Sequence, residues 1–531
     1  MASSPRPDAT VPDLSVYDYL FGGLAEDGLD NVAIVDGTSG AETTYRQLIG
    51  QVQLLAGALA SRGVGVGDVV AVLCPNVPAF ATVFHGILRA GATATTVNSL
   101  YTPDEIANQL TDAGATWFFT VSPLLPQAAA AAERVGLAND HLVVLDGAEG
   151  HPSLRDLLGE GHAAPDVSFD PAEHLAVLPY SSGTTGRPKG VMLTHRNLVA
   201  NVAQNVESIG LESSDRVLAV LPFFHIYGMT VLLNYALKCG ASLVTMPKFD
   251  LVEFLRVIGE YRATWVFIAP PIAVALAKHP LVAQADLSSV KVVFSGAAPL
   301  DGALAELVAE RLDCVVCQGY GMTETSPVTH VIALDRPDLD RSSIGHLLPS
   351  TEARVIDVES GTDVDVPADG ASAPGELWIR GPQVMKGYLG NPEATAAMLD
   401  ADGWLHTGDI ATVTADGVYR IVDRLKELIK YKGYQVAPAV LEAVLLGHPD
   451  VADAAVIGVL DDDGQEIPKA FVVAQPGSSL GADAVMAYVA EHVAPHEKVR
   501  AVEFIDVVPK STAGKILRKD LRARETAATG A

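Results

Sequence analysis

The stretch YSSGTTGRPKGVMLTH, residues 180–195, lies between the apolar LAVLP at 175–179 and RNLVANVAQNV at 196–206. The first flank reads as a strand and the second as a helix, which predicts a strand-to-helix loop rich in glycine and hydroxyl groups. Such a loop leaves backbone N–H groups free to meet phosphate oxygens. Gly183 and Gly186 lie within it, Ser181, Ser182, Thr184 and Thr185 add hydroxyl donors, and Lys189 supplies a point charge. It is not the P-loop of switch-type NTPases, which needs Gly-Lys-Ser/Thr in sequence; here Lys189 follows Pro188 and precedes Gly190.

Outward from this loop, short Val- and Thr-rich runs alternate with helical patterns, as in an α/β protein with a mostly parallel sheet covered by helices. VVAVLC (69–74), ATATTV (92–97) and ATWFFTV (115–121) read as strands and AFATVFHGILRAG (79–91) as a helix. Thr102 and Glu105 have capping-box spacing. The phrase then returns: Asp215 to Pro222 echoes Asp68 to Pro75, Gly240-Ala241 echoes Gly91-Ala92, and ATWVF at 263–267 echoes ATWFF at 115–119. Two copies predict two similar α/β layers rather than a solenoid. Near residue 420 the texture changes. Asp416-Gly417 reads as a hairpin turn, and a mixed helix, strand and basic-loop module follows. The predicted domains are 1–423 and 424–531.

Composition narrows the function classes. The net charge of −28 gives no field for a polyanion, which disfavours nucleic acid as a partner. Residues 420–531 hold 14 Lys+Arg against 16 Asp+Glu, so nearly all the excess negative charge precedes them. Four cysteines in 531 residues argue against a disulfide scaffold and fit a reducing compartment. Cys314 and Cys317 are separated by two valines and have no second pair, so they read as a strand rather than a zinc site. The first 13 residues have no signal-peptide pattern and read as a loose arm, and no uncharged apolar run reaches the ~18 residues of a membrane span. The C-terminal Ala-Thr-Gly-Ala is no peroxisomal address, leaving the cytoplasm as the expected location.

Further motifs stand along the chain: PFFHIYGM at 222–229, QGYGMTE at 318–324, HTGD at 406–409, DRLKELIKYKGYQVAP at 423–438 and PKSTAGKILRKDLR at 509–522. Together with the 180–195 loop they resemble the adenylate-forming superfamily, which includes acyl-CoA synthetases, 4-coumarate–CoA ligases, luciferases and peptide-synthetase adenylation domains. The likeness runs from about residue 30 to 525. It implies a large N-terminal domain of two similar α/β layers plus a β-barrel-like part, with a small mobile α+β C-terminal lid. It also implies ATP, Mg²⁺ and coenzyme A.

By this resemblance Gln318, Gly319 and Tyr320 flank adenine, Thr323 contacts the α-phosphate and Glu324 holds Mg²⁺, a hard cation that suits a carboxylate. Asp409 and Arg424 would bind the ribose. Lys426 would be the pivot, Lys430 and Gln435 would line the adenylate, and Lys432 with Gly433 would touch CoA, as would Lys248 in the loop MPKFD. Lys515 would be the catalytic lysine, its cation offsetting the charge built when a carboxylate attacks the α-phosphate. CoA brings its own thiol, so no protein cysteine has to act.

His225 would sit by the reacting carboxylate. Tyr227, Ala297, Gly319, Gly321, Pro327, Val328 and Val331 would line an apolar pocket. The hinge wording is nearest to plant-type 4-coumarate ligases. Val231 stands where those ligases often carry a polar residue, which points to cinnamate-like aryl acids, with medium-chain fatty acids next. A peptide-synthetase domain, a luciferase-like oxygenase and a non-catalytic binding protein are the rival readings. The last should have lost Lys515, Asp409 or Glu324, and all three are present.

Overall fold

The computed structural model describes residues 2–181, 188–431, 434–461, 465–511 and 514–529. It is an α/β structure whose described strands form two large sheets, a five-stranded sheet, a three-stranded sheet and a two-stranded hairpin. In the first large sheet the strands Thr93–Thr96, Val69–Leu73, Ala115–Thr120 and Leu142–Val144 lie side by side in that order and run parallel. In the second, Ser242–Thr245, Arg216–Ala219, Trp265–Ile268 and Val292–Ser295 follow the same order, also parallel.

The repeat in the sequence is therefore a repeat in space, down to single bonds. Asp68 Oδ2 accepts from the Gly65 N–H at 2.9 Å, and Asp215 Oδ2 accepts from the Glu212 N–H at 3.0 Å. The Asp68 carbonyl accepts from Thr93 N–H and the Asp215 carbonyl from Ser242 N–H, each joining the first strand of its unit to the second. Both layers contribute to one core, with Val72, Phe80 and Phe84 from the first and Val217, Met229 and Leu232 from the second. Near-continuous apolar runs suit parallel strands covered on both faces. The helix Pro103–Ala113 starts on the predicted box, Thr102 and Glu105 capping each other.

The five-stranded antiparallel sheet supplies the half-barrel: Ala2–Ser3, Glu352–Ile356, Gly375–Arg380, Leu405–Val413 and Tyr419–Arg424. Its last two strands form the hairpin expected at Asp416-Gly417, with Gly417 at φ +78°. From Ile429 onward the apolar residues pack into clusters of their own, one around Val436, Leu441, Val456 and Val472 and another around Ile457, Phe471, Val508 and Leu521. Cys317 is buried in the strand Val315–Gly321, and all four cysteines are free thiols. No helix among the described residues is long and apolar enough to cross a membrane.

Two expectations fail. The N-terminal arm is not loose: Ala2 and Ser3 pair with Ala353 and Glu352, Ser4 Oγ donates to the Leu347 carbonyl at 2.8 Å, and Arg6 pairs with Asp335 at 2.5 Å. The strand Glu352–Ile356 would otherwise be a bare sheet edge, whose unpaired backbone groups recruit any nearby chain. The segment 180–195 is not a strand-to-helix loop either. Lys189–Thr194 is itself a strand, antiparallel to Leu175–Val177, and the helix His195–Val206 begins only after it, capped by Thr194 and Asn197. Burial of Gly190, Val191, Leu193 and Thr194 inside a sheet, which no local pattern reveals, decides against helix there.

Candidate active site

Ser181 and Lys189 pair across the two ends of the glycine-rich segment, as do Tyr180 and Gly190. Ser182, Gly183, Thr184, Thr185 and Gly186 lie outside the described residues. The Lys189 ammonium sits 4.7 Å above the centroid of the Tyr388 ring. Tyr388 in turn donates its hydroxyl to Glu324 Oε1 at 2.7 Å. Glu324 is only 5% exposed, in the turn Thr323–Thr325 that follows the strand Val315–Gly321. The phosphate segment and the acidic residue of QGYGMTE thus meet through a tyrosine for which the sequence offered no signal.

Beside them Tyr320 donates its hydroxyl to Asp409 Oδ2 at 2.6 Å, and Arg424 Nε lies 3.3 Å from Asp409 Oδ1. Asp409 and Arg424 are cross-strand neighbours in the half-barrel, so its hairpin delivers both to one point. Gln318 is spent on the backbone: its amide accepts from Leu300 N–H and donates to the Leu300 and Arg341 carbonyls. It therefore fixes the loop above it, and the edges left for a flat base belong to Gly319 and Tyr320.

The residues expected to line the acid pocket lie on and beside the second large sheet. Antiparallel register pairs Gly319 with Val331 and Gly321 with Val328, which brings four of the expected lining residues together. Val328 and Val331 are buried, and Ala297 has φ +71°. Tyr227 opens a π-helix, Tyr227–Asn234, that also holds the buried Val231. Residues four apart nearly eclipse in a helix of this pitch, so Val231 shares the Tyr227 face. The Tyr227 hydroxyl donates to the Phe294 carbonyl at 3.3 Å. A Cβ on Gly296 would stand 2.8 Å from that ring, so only glycine lets the ring lie there.

His225 precedes the π-helix. Its segment is held by the first layer: Asn76 donates to the Ala219 and Leu221 carbonyls and accepts from Phe223 N–H, and Thr96 donates to the Phe224 carbonyl. Burial, with the Lys515 charge adding to it, pulls the His225 imidazole down to about 4. It is neutral at neutral pH, and because Nδ1 accepts from Tyr227 N–H at 3.3 Å, the ring hydrogen sits on Nε2 as a donor.

Lys515 comes from the far end of the chain to this place. Its turn is closed by Gly514 N–H to Ser511 O and Ser511 N–H to Lys515 O. Gly514, at φ +79°, a backbone conformation that favours glycine, packs closely against Ala269 and Pro271. Burial draws the Lys515 ammonium down to about 8; Arg424 and Arg518 lower it too, while Asp409 and Glu324 pull it back up. The cation thus lies within electrostatic reach of Asp409, Glu324, Arg424 and His225. Three residues on, Arg518 holds both oxygens of the buried Glu442 at 2.7 Å.

Other expected residues stand apart. Lys426 and Lys430 are exposed, and no hydrogen bond or ion pair among the described residues joins their side chains to the Lys515 cluster. Lys430 pairs through its backbone with Gln435, whose side chain lies outside the described residues, as do Lys432 and Gly433. Lys248 is exposed in its loop beside Phe249. Sequence reasoning missed Tyr388, Gly296, Asn76 and Arg518. Each acts through a partner distant in the chain, and even Arg518, within the quoted 509–522 motif, gives no local sign that it pairs with Glu442.

The family model described as AMP-binding enzyme matches residues 24–389, and its C-terminal-domain counterpart matches residues 440–515. The chain is 43% identical to 4-coumarate–CoA ligase 5 of Oryza sativa subsp. japonica over 532 residues, covering 98% of this chain and 96% of that one. It is 41% identical to 4-coumarate–CoA ligase 2 of Solanum tuberosum over 533 residues, covering 98% and 96%. Among solved structures, the anthranilate CoA ligase AuaEII in complex with anthranoyl-AMP superposes with a TM-score of 0.90 at 26% identity, over 98% of each chain. A benzoate CoA ligase from Burkholderia xenovorans LB400 gives 0.86 at 26% identity, over 96% of this chain and all of that one.

Proposed function

The chain belongs to the AMP-binding enzyme family, and on that premise we propose that it joins an aryl carboxylic acid to coenzyme A, using ATP, by way of an acyl-adenylate. The observation that carries this is Lys515, brought from the C-terminal module into the midst of Glu324, Asp409, Arg424 and His225. In the first half-reaction a carboxylate oxygen attacks the α-phosphorus, the bond to the bridging oxygen breaks, and pyrophosphate leaves. Attack of one anion on another is the barrier. Lys515 supplies the cation between acyl oxygen and phosphate, and the neutral His225 can donate from Nε2 to the carboxylate it orients. In the second, the CoA sulfur attacks the acyl carbonyl and AMP departs with the electrons of the C–O bond.

No protein thiol competes as nucleophile. Burial raises all four cysteines, Cys239 and Cys317 to about 12 and Cys314 to about 11, with Cys74 higher still. Mg²⁺ fits the donor set: Glu324 has one oxygen fixed by Tyr388, and its other oxygen has no hydrogen-bond partner among the described residues. Glu324 would hold the cation together with phosphate oxygens and water. When bound, Mg²⁺ neutralises charge on the phosphates.

The acid is of the cinnamate class without ring hydroxyls. The relatives named above are ligases of 4-coumarate, anthranilate and benzoate, and two of the groups expected to face the ring give a phenol little. Val231 is apolar, and the Tyr227 hydroxyl is already committed to Phe294. A hydroxyl buried without a partner is disfavoured. We assign residues 424–531 as a lid that turns about Lys426 to exchange Lys515 for Lys432 and Gly433. We also assign the enzyme to the cytoplasm, where four free thiols stay reduced.

With ATP, Mg²⁺ and cinnamate but no CoA, labelled pyrophosphate should exchange into ATP, and CoA should then yield the thioester. Release of the γ-phosphate as orthophosphate would overturn the adenylate route. A strong preference for caffeate over cinnamate would overturn the assignment of the acid.

A further inference from the structure

Residues 385–389 form a strap across the site. The Met385 N–H donates to the Glu324 carbonyl and the Lys386 N–H to the Met192 carbonyl, both within 2.9 Å, and the Leu389 N–H donates to the Gly190 carbonyl at 2.8 Å. Gly387 and Tyr388 pair antiparallel with Met192 and Val191, in the strand that leaves the glycine-rich segment. The strap is therefore bonded at one end to the turn carrying Glu324 and along its length to the strand carrying Lys189.

Tyr388 is the one side chain on the strap that touches both. Its hydroxyl donates to Glu324 Oε1 at 2.7 Å, and its ring face lies 4.7 Å beneath the Lys189 ammonium. Its own backbone is pinned, the Tyr388 N–H donating to Thr395 Oγ1 at 2.9 Å. A carboxylate buried to this degree has little water to orient it, so a single short hydrogen bond sets which oxygen faces away. A cation over the ring face is held in the same way.

We propose that Tyr388 is a positioning residue that locks Glu324 and Lys189 into one unit, so that metal and phosphate are bound at a fixed separation. This rests on the assignment of Glu324 to Mg²⁺ and of Lys189 to phosphate made above. Tyr388 touches neither; it acts through the two side chains that do. A phenol meets a carboxylate as the donor, and here it takes Oε1, leaving Oε2 as the face for a cation.

The test is equilibrium binding of ATP, without acid or CoA so that no turnover occurs, measured by calorimetry across a Mg²⁺ series. Tyr388→Phe keeps the ring and removes only the hydroxyl. It should raise the Mg²⁺ concentration needed for half-maximal ATP binding by about tenfold, the lower range for loss of a residue that orients a metal ligand, with the fold retained by circular dichroism. Tyr388→Leu removes the ring as well and should add a loss of about two- to fivefold in ATP affinity at saturating Mg²⁺, from the lost cation–π contact. Glu324→Gln serves as the reference. If Glu324→Gln shifts the Mg²⁺ dependence and Tyr388→Phe does not, the positioning role is wrong while the metal assignment stands. If Glu324→Gln shifts nothing, the metal assignment fails and takes this proposal with it.

Discussion

The Tyr320 hydroxyl donates to Asp409 Oδ2 at 2.6 Å while Arg424 flanks the other oxygen at 3.3 Å. The two partners come from different sheets and fix the carboxylate before any nucleotide arrives. A ribose needs an acceptor with a set direction, and a carboxylate gripped at both oxygens provides one.

Tyr320→Phe should therefore raise the KM for ATP by about tenfold or more, the loss of one hydrogen bond to a charged group. The KM for the acid should stay put. Pyrophosphate exchange at varied ATP reads this directly. An unchanged ATP KM would mean that Arg424 alone orients Asp409.

Lys515 titrates at about 8 rather than near 10.5, because burial disfavours its charged form more than Asp409 and Glu324 favour it. Adenylation needs the ammonium, so kcat/KM for ATP should be level below that pH and fall as pH rises through about 8. His225, at about 4, adds no limb between 5 and 9. Lys515→Arg stays protonated throughout, so its residual activity should lose the basic limb. Lys515→Ala should slow adenylation by roughly 10²- to 10³-fold, while a supplied acyl-adenylate still forms thioester. A basic limb that survives in Lys515→Arg would assign the titration to another group.

Gly296 admits no side chain, since a Cβ would stand 2.8 Å from the Tyr227 ring. Tyr227 is buried and tied to Phe294, so an added methyl must displace the ring from the place proposed to line the acid pocket. Gly296→Ala should raise the KM for cinnamate by about tenfold, equivalent to roughly 1–2 kcal/mol of overpacking, with the KM for ATP unaffected. Equal losses for both substrates would point to general misfolding of the strand end instead.

Arg518→Ala would leave the Glu442 carboxylate buried with only the Val456 N–H. Removing one partner of such a pair costs about 3–5 kcal/mol, so the C-terminal module should melt earlier and adenylation should fail with it. Replacing both at once, Arg518→Met with Glu442→Leu, should recover most of the stability. If that double variant is also stable but inactive, Arg518 holds the Lys515 turn in register as well as supporting the fold.

The α/β class, the twofold repeat, the change of texture near residue 420 and the strongest motifs are all legible in the chain read alone. These are properties of local pattern: strand length, helical period, turn residues, and functional groups clustered within a dozen positions. Asp409, Arg424 and Lys515 came into view only through the likeness of HTGD, the hinge segment and the C-terminal lysine motif to the adenylate-forming superfamily; charge and spacing alone would have left them as solvated residues.

Where such groups meet is settled by packing between segments far apart in the chain. The strand Lys189–Thr194 is short and ambiguous in isolation, and its burial against Leu175–Val177 made it a strand. The N-terminal arm became ordered because a sheet edge 350 residues away needed a partner. Tyr388 met Glu324 across 64 positions, and Tyr227 met Phe294 across 67. None of these pairings leaves a local trace, because a close contact between distant segments is set by how whole layers pack, and the free energy that selects it is shared among all the side chains of the core.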